Sequence, residues 1–423
     1  MKRKLTGILV LLTTISIAQA EAEFSGYTLD ETNAYHAEFN LDNWDEGGPL
    51  MRYVFLHMAE FWNHTLIPRS GPVTTLPVSL REDVSSFVAT TANGRIPLQE
   101  YVRHSTVNAA LILHKGEIVF EAFPRMLEED KHNYMSVSKP FASTLIALLE
   151  ERGLIDVGNP IEHYLPALSD SGWAGVPVLD ILDMASGINC LEQTEGSYTD
   201  PAHCYYQFEA SLGWVKPTAR TPASTYDYMA TLVSHRPSGE AFEYTSPDTF
   251  VLGWLAESVT GRSYASLLST EIWQKIGAES DAIIISPRRG VPIAHGGISS
   301  NLRDMARFGL MFTPSGRQGR APLISDAYLQ KIQEGGRPEI FNVGRENNIR
   351  EVDGEASRHN SYQWDFVMED GDFFKGGYGG QGLYISPSRD LVVAFFGTFD
   401  ENRNGHEMTR ISRQLAKSGL FDQ

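Results

Sequence analysis

Two stretches near opposite ends of the chain carry the same strand–turn–strand pattern, and this constrains the fold more than any other feature. Residues 108–123, NAALILHKGEIVFEAF, set two β-rich runs around His114-Lys115-Gly116-Glu117, and residues 382–399, GLYISPSRDLVVAFFGTF, set two more around Ser386-Pro387-Ser388-Arg389-Asp390. Runs of aliphatic and aromatic residues bounded by turn formers read as hairpins. The intervening chain is mostly helical by pattern, with helices expected over 136–152, 178–184, 248–260, 264–276 and 301–312. A polar helix over 403–417 would cover one face of the sheet. The expected fold is therefore mixed α/β (α+β): an antiparallel sheet flanked by helices, built from 21–135 and 290–423, with a mainly helical unit, 136–289, inserted between. A cleft between two such units is where a small-molecule site is expected.

The first twenty residues, MKRKLTGILVLLTTISIAQA, offer Lys2, Arg3 and Lys4, an apolar run too short to span a bilayer, and Ala18-Gln19-Ala20. That is the pattern of a cleaved signal peptide, ranked ahead of a membrane anchor. Periplasmic or secreted localisation is expected, with no membrane association after cleavage. Losing the three basic residues takes the formal net charge from -18 to about -21, which argues against nucleic acid or anionic lipid as a partner. The only two cysteines, Cys190 and Cys204, lie in the loop-like NCLEQTEGSYTDPAHCYY. A pair in an exported chain reads as a disulfide rather than two buried thiols, worth roughly 3 kcal/mol for a loop of that length. The 12 histidines are scattered, with no His-Glu-x-x-His and no Cys-x-x-Cys, and there is no Gly-x-x-x-x-Gly-Lys-Ser/Thr phosphate loop. No metal or other cofactor is expected.

The chemistry concentrates in HNYMSVSKPFASTLIALLEERGL, residues 132–154, where Ser136 and Lys139 stand at the expected start of an apolar helix. Free N–H groups and the positive end of the helix dipole favour an oxyanion there, and a lysine at i+3 shares the face of the hydroxyl. Such a lysine serves as a base only if burial or neighbouring cations make it give up its proton readily. The competing reading makes Ser136 an N-cap and Lys139 a solvated side chain. Two more elements favour catalysis. Tyr244-Thr245-Ser246 stands before a second apolar helix, and Lys375-Gly376-Gly377 stands before the last hairpin. Ser-x-x-Lys, Tyr-x-Ser/Asn and Lys-x-Gly, in that order, are the pattern of penicillin-recognising serine hydrolases.

On these motifs, together with LDNWDEGG, ILDMASGI, SYTDP and HGGISSNLRDMARFG, the chain resembles the class C β-lactamase-like serine hydrolases. Within them it is most similar to 6-aminohexanoate-dimer hydrolases and family VIII carboxylesterases. The resemblance implies a β-lactamase/transpeptidase-like fold, with Ser136 as acylated nucleophile and Lys139 and Tyr244 as its proton-transfer pair. The backbone N–H groups of Ser136 and Tyr378 would hold the oxyanion. Tyr198 would line the cleft and hydrogen-bond the scissile nitrogen, and Lys375, Gly377, His295 and Glu209 would shape substrate binding. Ser246 replaces the asparagine of Tyr-x-Asn, and Gly376 the hydroxyl residue of Lys-Thr-Gly. Both changes remove groups that grip a β-lactam. The expected activity is hydrolysis of a small ester or linear amide, against the alternatives of a β-lactamase or D-Ala-D-Ala peptidase and of a non-catalytic binding protein. Natural substrate and oligomeric state stay open.

Overall fold

The computed structural model describes residues 24–288, 290–318, 322–343 and 351–422. The expected signal peptide lies outside them. Among the described residues no helix is long and apolar enough to cross a membrane.

The main sheet is antiparallel and eight-stranded, in the spatial order Glu117–Ala122, Val107–His114, Leu391–Gly397, Gln381–Ser386, Phe373–Gly377, Trp364–Met368, Glu355–Ser361, Glu351–Val352. The chain ends meet where Leu111 pairs with Ala394. Both expected hairpins form. His114 pairs with Glu117 around Lys115 and Gly116, both at positive φ, which is the turn geometry that matches strand twist. The central strands are continuously apolar because both faces are covered. Leu111, Leu113, Val392 and Ala394 join Phe141, Leu145, Met305 and Phe308 on one side, while Ile112, Val393 and Phe395 join Met408, Ile411 and Leu415 on the other.

A second, four-stranded sheet runs His64–Ile67, Ala282–Ile285, Ile298–Ser300, His132–Asn133. Its last strand delivers the chain to Ser136. Helices at Lys139–Glu151 and Leu302–Leu310 fall within the expected spans, and the one at Ser246–Thr260 begins two residues ahead of the expected 248–260. The segment 264–276 keeps its helical course but passes through a π turn at Leu268–Trp273.

Three local expectations need correction. The final helix begins only at Met408, because Asp400 accepts hydrogen bonds from the backbone N–H groups of Asn402 and Asn404 and holds that stretch in a turn. The segment NLRDMARFG reads as a scaffold helix with Arg303, Asp304 and Arg307 paired to hold it, but Arg303 pairs with Glu121 on the sheet (2.9 Å), while Arg307 pairs with both Asp304 (2.7 Å) and Glu279 (2.8 Å). Ser136 does not open the α-helix. It sits in a 3-10 turn, Met135–Ser138, that precedes it.

Candidate active site

Ser136 is placed by a sharp change of direction. Tyr134 N–H still donates to Ile298 O across the small sheet (2.8 Å), then Met135 turns to φ 45°, its N–H held by Asn133 Oδ1 at 2.8 Å. In a 3-10 turn residues i and i+3 eclipse each other, so Lys139 stands over Ser136 with Nζ 3.3 Å from Oγ. The same amine donates to Ser246 Oγ at 2.7 Å and to His295 O at 3.2 Å.

Tyr244 enters from the residues before the helix Ser246–Thr260 and lines the cleft beside Ser136, whose hydroxyl acts to lower the Tyr244 phenol. On its other side Lys375 Nζ donates to the Tyr244 hydroxyl at 2.9 Å and forms an ion pair with Asp365. Asp365 also accepts from Gly376 N–H at 2.8 Å. Lys375, expected at the substrate, is instead fully buried behind Tyr244. Gly377 does line the cleft. A Cβ there would lie 2.5 Å from Tyr134 O, so any side chain would push this strand away from the segment entering Ser136.

Burial lowers Lys139 to about 8; Glu192 opposes the shift and Lys375 reinforces it. Burial also lowers Lys375, with Asp365 opposing. Tyr244 is raised by burial, then by Asp365 and Glu192. At neutral pH the arrangement therefore offers a hydroxyl beside an amine that deprotonates easily and a phenol that keeps its proton.

The cleft encloses about 1010 Å³, and its lining includes Ser136, Tyr244, Tyr378, Trp44 and Trp214. Tyr198 also faces it, 47% exposed, with its ring edge-on to Tyr205 at 5.1 Å. Glu209, a position where a surface charge would be ordinary, is buried and meets His295 Nε2 at 3.1 Å. The Cys190–Cys204 disulfide forms, with Cα atoms 5.4 Å apart. It ties the loop carrying Tyr198 to the start of the helix Cys204–Leu212 that carries Glu209. Among the described residues no cluster of three or more His, Cys, Asp or Glu could hold a metal.

Sequence reasoning missed two residues. Glu192 accepts from both Ser246 N–H (3.0 Å) and Ser246 Oγ. Asp365 holds Lys375. A signal existed for each: Glu192 follows a disulfide cysteine by two positions, and Asp365 lies in the strand beside that of Lys375, one step from the Phe366–Phe374 pair.

The profile of the beta-lactamase family matches residues 98–417. The chain belongs to the beta-lactamase family. It is a serine hydrolase, similar to the 6-aminohexanoate-dimer hydrolase of Paenarthrobacter ureafaciens, with 31% identity over 87% of this chain and 90% of that one. A Bacillus anthracis protein, provisionally described as a 6-aminohexanoate-dimer hydrolase, shares the fold at TM-score 0.75 and 22% identity, over 89% of this chain and 96% of that one. A beta-lactamase/D-alanine carboxypeptidase from Yersinia pestis shares it at TM-score 0.59 and 17% identity, over 76% and 95%. EstCE1, a hydrolase with promiscuous acyltransferase activity, does so at TM-score 0.56 and 15% identity, over 74% and 95%. Within this beta-lactamase family frame, Gly376 and Ser246 are where this chain departs from Lys-Thr-Gly and Tyr-x-Asn.

Proposed function

We propose that this protein is an exported acyl-enzyme hydrolase that cleaves small esters or linear amides, of the 6-aminohexanoate-dimer hydrolase or carboxylesterase type. Ser136 attacks the carbonyl, Lys139 takes its proton, and Tyr244 delivers a proton to the leaving group. The N–H groups of Ser136 and Tyr378 bind the oxyanion. Water then enters the same site, and the same pair of side chains activates it. The observation that carries this reading is the Lys139 amine, buried, 3.3 Å from Ser136 Oγ and with its other hydrogen bonds going to a hydroxyl and a carbonyl. A direct carboxylate partner would keep that amine charged and useless as a base. The 31% identical 6-aminohexanoate-dimer hydrolase supports the substrate class. The absent amide of Tyr-x-Asn and absent hydroxyl of Lys-Thr-Gly disfavour β-lactams. The disulfide and the N-terminal pattern support export.

A fluorophosphonate probe is expected to label Ser136, and Ser136→Ala to lose both labelling and turnover; labelling on another serine would refute the assignment. Short-chain p-nitrophenyl esters, 6-aminohexanoate dimer and a chromogenic cephalosporin are tested in parallel. Higher kcat/KM on the cephalosporin than on every ester would replace this reading with the β-lactamase one. N-terminal sequencing of the periplasmic or secreted form is expected to start near Glu21.

A further inference from the structure

Lys139 Nζ has three neighbours, and their hydrogen-bonding capacities differ. His295 O is a carbonyl and can only accept (3.2 Å). Ser246 Oγ, at 2.7 Å, could accept or donate. Its own proton is committed elsewhere, because Ser246 Oγ–H points to Glu192 Oε2, the same oxygen that takes Ser246 N–H at 3.0 Å. Glu192 is buried, and as a carboxylate it can only accept. Ser246 is thereby left as an acceptor toward Lys139. A neutral lysine amine has two N–H bonds and one lone pair. With both protons claimed by Ser246 Oγ and His295 O, the lone pair is left facing Ser136 Oγ at 3.3 Å.

We infer that Glu192 is a positioning residue which, through Ser246, aims the lone pair of neutral Lys139 at the Ser136 hydroxyl. It lines the cleft, but its hydrogen bonds come from Ser246 and not from Lys139 or Ser136, so it acts on the reacting atoms only through Ser246. When Ser136 gives up its proton, the new N–H bond of Lys139 forms along the line already set, and the other two hydrogen bonds persist. Glu192 has a second, separable effect. Its negative charge raises Lys139 against the lowering caused by burial. The other groups acting on Lys139 are Lys375 and Asp365 from the strands, Glu209, and Asp248 within the helix Ser246–Thr260. Those that face Glu192 besides Lys139 are Tyr198, Tyr205, Tyr244 and Lys375. Removing the charge of Glu192 should therefore make Lys139 lose its proton at lower pH. A carboxylate that merely filled space would leave the pH profile unmoved.

The inference rests on the acyl-enzyme reading, so labelling of wild-type Ser136 is checked first; failure there refutes that reading, whereas the following comparison concerns Glu192 alone. Full pH–rate profiles with a p-nitrophenyl ester are measured for wild type, Glu192→Ala, Glu192→Gln and Ser246→Ala, with melting curves to establish folding. Glu192→Ala frees the Ser246 hydroxyl to rotate and donate to the lysine lone pair, so kcat on the alkaline plateau falls roughly tenfold or more with KM little changed. Ser246→Ala loses a similar factor, and the double variant is no worse than either single one. Glu192→Gln still offers Ser246 an acceptor, so its plateau kcat stays within about threefold of wild type. Its acid limb nonetheless moves to lower pH, as in Glu192→Ala. A wild-type plateau in Glu192→Ala, an unmoved limb in Glu192→Gln, or a Gln variant as damaged as the Ala variant would each overturn the inference. If Glu192→Ala does not fold, the Gln limb and the Ser246→Ala plateau decide it.

Discussion

Lys139 and Lys375 are both fully buried, and both approach the Tyr244 ring, at 5.2 and 4.5 Å from its centroid. Their partners differ. Lys139 ends among two hydroxyls and a carbonyl, whereas Lys375 is ion-paired to Asp365 and donates to the Tyr244 hydroxyl. Asp365 contacts Lys375 directly, whereas the carboxylate near Lys139, that of Glu192, is set one residue away behind Ser246. Burial alone therefore does not make a lysine a base. What counts is whether an anion touches the amine or stands behind an intervening hydroxyl, because direct contact repays the cost of the buried charge and an indirect one repays it only in part.

The contrast is broken most severely by removing the base. Lys139→Ala and Tyr244→Phe should each lower kcat/KM by roughly a thousandfold or more, and together by little more, since both serve the same acylation step, one taking the Ser136 proton and the other protonating the leaving group. A fully active Tyr244→Phe would reduce that tyrosine to packing. Stability should sort the two lysines in the opposite order. Lys375→Met strands Asp365 without its cation and should cost roughly 3–5 kcal/mol in denaturant unfolding, while Lys139→Met replaces an amine with no direct anionic partner and should leave stability unchanged or raised. Equal losses in the two variants would erase the distinction.

The pH profile sharpens it further. The neutral form of Lys139 accumulates as pH rises through about 8, so kcat/KM should climb about tenfold per unit below that value and level off above it. A profile that falls over the same range would mean that a protonated Lys139 is the active form. The double substitution Cys190→Ser with Cys204→Ser should cost roughly 2–3 kcal/mol of stability, read as a lower melting temperature. The smallest effect is expected from Tyr198→Phe: a phenol near the scissile bond aids a poor leaving nitrogen more than a good leaving alkoxide or phenoxide. Amide turnover should therefore drop several-fold more than ester turnover.

Much of this was legible without coordinates. Both hairpins and the helix behind Lys139 rest on local periodicity and turn chemistry, and Ser136 and Lys139 are three positions apart, so helical geometry alone brings them together. Tyr244 could be found because it immediately precedes a helix start. The disulfide followed from two cysteines in a chain whose N-terminal pattern reads as an export signal. Tertiary structure decided which way each buried charge was answered. Ser246 lies 107 residues from Lys139 and 54 from Glu192, yet the three form one hydrogen-bonded chain. Lys375 was legible as a residue but not in its role, since only strand pairing sets Asp365 beside it and turns its amine to Tyr244. Local pattern determines backbone course and side-chain type over a few residues. The protonation behaviour of a lysine depends on dielectric and on partners within a few ångströms, and those come from distant parts of the chain that only packing brings together.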